Sequence, residues 1–145
     1  MAKPKPDHAD AELVLRVYEL RREGVLRQAR ETLRVQFWPK SEQDAVAITR
    51  GDHPLNTAYR QVVTYWEMVY GMLRHDIVHA GYFLETNLEG LFLFAKVEPY
   101  VEEMRRQTSP LIFKNSEWVA KECPEGRQLF EGLRARVKKL YEARG

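Results

Sequence analysis

The chain of 145 residues carries 44% hydrophobic and 11% aromatic side chains, enough for a packed core and too many for a disordered polymer. Basic and acidic residues nearly balance, 23 against 21, so no global field marks the chain for nucleic acid or a membrane surface. A single cysteine, Cys123, excludes an internal disulfide and any multi-cysteine metal centre, and it fits a reducing cytoplasm.

Residues 1–9, within "MAKPKPDHAD", hold two prolines and no apolar run, and they read as a short flexible arm rather than a signal peptide or anchor. From Asp10, a candidate N-cap, Leu13, Val17 and Leu20 fall on one helical face. Gly24 interrupts the pattern, and Leu26, Ala29, Leu33 and Phe37 resume it, which predicts two helices with a bend between them. Pro39 stops the second. Ser41 followed by Asp44 resembles a capping box for a short helix over "EQDAVAIT", and "RGDHPLN" is a turn whose Arg-Gly-Asp tripeptide reads as coincidence.

The segment "NTAYRQVVTYWEMVYGMLRHD" places Leu55, Tyr59, Val62, Trp66, Val69 and Leu73 in one stripe, widened by Ala58, Val63 and Tyr70 and flanked by Tyr65, Met68 and Met72. So wide an apolar face belongs to a central helix with neighbours on several sides, and Gly71 would let one of them approach closely. Asp76 is the candidate N-cap for "IVHAGYFLE", and Thr86 or Asn87 for "LEGLFLFAKVEPYVEEMRRQ", bent at Pro99. Ser116 is the candidate cap of "EWVAKE", and Pro124 opens a last amphipathic helix. The expectation is an all-α, single-domain irregular bundle of about six or seven helices over residues 10–145, with no segment able to span a bilayer.

His75 and His79 are four apart with an acid after the first, close to a zinc-protease signature. The acid is Asp76 rather than glutamate, no third ligand follows, and the helix should end between the two imidazoles; no metal or cofactor is expected. Phosphate-loop, dinucleotide and serine-hydrolase signatures do not occur. Cys123 is a candidate reactive thiol if it caps the last helix and inert if it ends the preceding one. Arg27, Arg30 and Arg34 on one helix, and Arg134, Arg136, Lys138 and Lys139 on another, are interleaved with glutamates and read as solvated faces. On the central helix Arg60 and Glu67 lie two turns apart on a narrow polar strip. Paired with Arg30 or Asn56, they would form a polar cluster that fixes helix register rather than a site.

The runs "YELRREGVLRQAR", "NTAYRQVVTYWEMVYGMLRHDIV" and "PYVEEMRRQTSPLIFKNSEWVAKECPEG" resemble a family of small bacterial helical proteins classed as a domain of unknown function, over about residues 12–126. The resemblance implies a mostly helical fold and marks Arg30, Arg60 and Glu67 as characteristic polar positions. It also implies a membrane segment ahead of the domain in some relatives, and none is expected in this chain. The family brings no established activity. The leading expectation is a cytoplasmic, non-enzymatic domain acting through protein contact, with a homodimer as one form of that contact. A weak nucleic-acid or anion binder using arginine-rich helix faces stands second, and a metal-dependent hydrolase third.

Overall fold

A computed structural model describes residues 3–145. Among them α1 spans His8–Arg21, α2 Gly24–Gln36, α3 Glu42–Ala47, α4 Asn56–Arg74, α5 Ala80–Leu84, α6 Glu89–Val97, α7 Val101–Gln107, α8 Lys114–Lys121 and α9 Pro124–Arg144. The all-α expectation holds. The segments outnumber the expected six or seven because α3 and α5 are little more than single turns, and because Pro99, in the 3-10 turn Glu98–Tyr100, divides α6 from α7. No helix among the described residues is long and apolar enough to cross a membrane.

Helix α4 is the central element, packed between α2 and α8, while α9 covers α6 and α8. Its stripe is buried as its spacing predicts: Tyr59, Val62, Trp66, Val69 and Leu73, with Trp66 only 1% exposed. Met68 departs from the pattern and stands in solvent. A Cβ on Gly71 would lie 3.0 Å from the Asn115 amide nitrogen, so this glycine does admit α8 closely. Gly126 has the same role between α8 and α9, where a Cβ would fall 2.0 Å from the Val119 carbonyl oxygen.

Helix starts depart from the sequence expectation more than helix interiors do. The N-cap of α1 is Asp7, and Asp10 is the third residue of the helix, completing a capping box with it. Asp10 is fully buried because its carboxylate also takes the Lys3 ammonium and the His79 N–H, each at 2.9 Å. Residues 1 and 2 of the expected arm lie outside the described residues; the arm's Lys3 is tied to α1 through this contact. Asp76 caps no helix. It takes a left-handed conformation, φ 61°, in the link after α4, and His79 caps α5 with Nδ1 accepting the Tyr82 N–H at 3.0 Å. Neither Thr86 nor Asn87 opens α6, whose N-cap is Leu88; the Asn87 amide turns back onto the Phe83 carbonyl. Ser116 lies inside α8, whose N-cap is Phe113 in the left-handed region at φ 58°. Gly24 breaks the chain and Ser41 caps α3, both as the sequence predicts.

Candidate anion-binding cleft

Three helices each present a stripe at helical spacing to one cleft of about 650 Å³. Helix α2 supplies Arg30, Leu33 and Arg34; α6 supplies Glu89, Phe92 and Lys96; α9 supplies Leu133, Arg136, Leu140 and Arg144. Trp38, just beyond α2, forms part of the wall, and Val62 of α4 lies behind. The volume falls within the ordinary range for small-molecule sites, and mixed apolar walls with a few converging polar groups are their usual make-up.

Lys96 is the unusual member. Helix α6 buries Gly90, Leu91 and Leu93 through Val97, so a lysine in that run is largely withdrawn from water even though it lines the cleft. Lys96 is 3% exposed. Its ammonium donates to the Phe37 carbonyl at 3.0 Å, satisfying an acceptor at the C-terminal end of α2, where a cation is favoured. It also lies 3.9 Å from the centre of the Trp38 ring. Burial, reinforced by Arg144 and Arg34, pulls its pKa from 10.5 to about 7; Glu89 opposes the shift without overcoming it.

The surrounding charge is lopsided. Glu89 is the one carboxylate lining the cleft, against Arg30, Arg34, Lys96, Arg136 and Arg144. Glu89 is already engaged: Arg30 donates to it through Nε at 2.9 Å and Nη2 at 2.7 Å, and the Trp66 indole N–H at 3.0 Å. Arg34 is held by Glu31. Arg136 and Arg144 lie over Phe92 and Trp38, 5.8 and 4.5 Å from the ring centres, and form no ion pair among the described residues. The two arginine-bearing helix faces, read from sequence as separate solvated surfaces, meet here.

The polar cluster expected from Arg30, Asn56, Arg60 and Glu67 is distributed over separate places. Arg30 belongs to the cleft. Asn56 is buried at the start of α4, donating to the Ile48 carbonyl at 2.8 Å. Arg60 is exposed, and of its polar groups the backbone carbonyl accepts from Thr64. Glu67 reaches α8, where its two oxygens accept the Asn115 N–H at 2.8 Å, the Ser116 N–H at 2.9 Å and the Ser116 hydroxyl at 2.5 Å. His75 and His79 sit at the ends of different helices with Asp76 between them. No group of three His, Cys, Asp or Glu side chains among the described residues is placed to hold a metal ion. Cys123 does occupy the N-cap of α9, but burial pushes its thiol pKa up, and the neighbouring Glu125 acts in the same direction. It is a core thiol, and the activating effect expected of the N-cap position is overridden.

Lys96 and Glu89 were missed by the sequence reading. The signal was present: Lys96 is the lone charge in the run "GLFLFAKV", where an apolar face surrounds it on both sides. The model for a domain of unknown function, DUF4760, matches residues 6–123, and comparison with curated proteins and with solved structures found no match.

Proposed function

The chain belongs to the DUF4760 family, a domain of unknown function, and from that premise we propose that it binds an amphipathic anion in the cleft between α2, α6 and α9. The observation that carries the reading is Lys96, a lysine removed from water and left without a carboxylate partner, beside Arg136 and Arg144, which also have none. An anion entering the cleft would offset the repulsion among these groups and restore the favourable state of the Lys96 charge. Apolar walls from Leu33, Phe92 and Leu140 suit a hydrocarbon or aromatic body behind the charged group. Helix α9, which supplies two of the cations, lies beyond the matched residues, so the family match does not by itself extend the cleft to relatives.

Calorimetric titration with 4-phenylbutanoate, 4-phenylbutanol and 4-phenylbutylamine tests the charge preference on one hydrocarbon body. The acid should bind saturably, the alcohol more weakly and the amine least. Arg136→Met or Arg144→Met should each weaken the acid by roughly tenfold, the equivalent of about 1.4 kcal/mol. Equal binding of acid and amine would remove the proposal.

A second reading, protein contact by a cytoplasmic domain, has the support of α1. Leu15 and Tyr18 project from it at 63% and 49% exposure, and the helix as a whole has little amphipathic character to turn inward. Light scattering coupled to size-exclusion chromatography should show a dimer that Leu15→Ser with Tyr18→Ser converts to monomer. A monomer at all accessible concentrations would remove self-association.

A further inference from the structure

We propose, building on the anion-binding reading, that the ligand is an oxo acid captured covalently: Lys96 condenses with its carbonyl group to form an imine while the cationic rim holds its carboxylate. The geometry divides the labour. Arg136 and Arg144 on α9 already supply the positive charge an acid needs, so a buried lysine adds nothing that a third arginine would not do better. What lysine alone offers is an amine nitrogen that can lose its proton and act as a nucleophile. Lys96 has a single hydrogen-bond acceptor, the Phe37 carbonyl, which one N–H satisfies, so deprotonation leaves that bond intact and frees a lone pair.

The charged groups facing the amine are Arg34 and Arg144, which disfavour its protonation, and Glu89, which favours it but is shared with Arg30 and Trp66. Burial and the two arginines bring its pKa down to about 7, so the neutral amine is accessible near pH 7, where a solvated lysine is almost wholly protonated. In the reaction, the nitrogen lone pair attacks the carbonyl carbon and the carbonyl π pair moves to oxygen, which takes a proton as the nitrogen releases one. The resulting carbinolamine loses its hydroxyl with one further proton as water, and the second nitrogen proton returns to solvent on forming the neutral imine. No oxidant or reductant is consumed.

The test is reductive trapping of the intact protein with 4-phenyl-2-oxobutanoate and cyanoborohydride, read by intact mass and peptide mapping. The proposal expects one saturable adduct on Lys96 at pH 7, suppressed by excess 4-phenylbutanoate and by Arg136→Met. Lys96→Arg, which keeps the charge and the donor to Phe37, should abolish the adduct and remain folded by circular dichroism; should it unfold, competition by 4-phenylbutanoate and the mapped position decide. Adducts confined to surface lysines, or none, with 4-phenylbutanoate still binding, would overturn the imine and leave the anion site standing. Loss of both adduct and 4-phenylbutanoate binding would overturn both. Equal trapping of an aldehyde without a carboxylate would overturn the role of the rim.

Discussion

Lys96 is almost wholly withdrawn from water, so its protonation has a cost in the folded chain that the unfolded chain does not bear. Because its folded pKa of about 7 lies below the ordinary 10.5, the unfolded state binds more protons between these values, and stability rises with pH across that window. Tyr59, Tyr70 and Tyr141 act oppositely. Burial raises each of their pKa values, so the folded state retains phenolic protons above pH 10 and stability falls there. At the acid end burial raises the Asp10 pKa, but hydrogen bonds from Lys3 and from the Asp7 and His79 backbones outweigh it and bring the value to about 2. Its contribution is therefore full above about pH 4 and is lost as pH falls towards 2. Denaturant midpoints measured from pH 3 to 11 should peak near pH 9 to 10, with a gain of a few kcal/mol above pH 7 that Lys96→Met flattens. A maximum near pH 6 would mean that Lys96 reaches water. Of these residues, Tyr59 and Tyr70 were legible as members of the apolar stripe of α4, whereas the burial of Lys96 and Asp10 follows from neighbours that the local sequence does not show.

At the scale of elements, periodicity located α2, α4 and α9, because each carries enough turns for a 3.6-residue repeat to stand out. Helix starts were harder to read, since several residues near each start could serve as the cap and at α8 the partner comes from elsewhere in the chain. Helix α8 has no side-chain cap of its own, and the carboxylate that serves its first turn is Glu67 on α4, 48 residues away from Asn115. Glu67→Gln leaves one oxygen where two accept, and should cost about 1.5–3 kcal/mol, the range for hydrogen bonds to a charged group. Arg60 shares none of these partners and is exposed, so Arg60→Met should stay within about 0.5 kcal/mol of the parent and add independently to Glu67→Gln. Denaturation of the two single variants and the double checks both statements. A non-additive double would restore the joint polar cluster that the sequence suggested.

For the molecule as a whole, composition and periodicity were sufficient for the all-α architecture, since a chain with helical stripes throughout has one economical way to cover them. They were insufficient for the cleft, because its three stripes are each ordinary amphipathic patterns and acquire meaning only when α2, α6 and α9 are set against one another. That arrangement is fastened across the longest sequence separation among the hydrogen bonds described, from the Tyr141 hydroxyl to the Pro39 carbonyl at 2.9 Å, 102 residues apart. The consequence lies in the order of synthesis. A growing chain can dock α2 on α4 early, but the wall bearing Arg136, Arg144 and Tyr141 follows α2, α4 and α6 in the order of synthesis, at about 5–20 residues per second. Nascent chains therefore pass through a stage in which Lys96 has an open side towards water, and its withdrawal from water coincides with the arrival of α9.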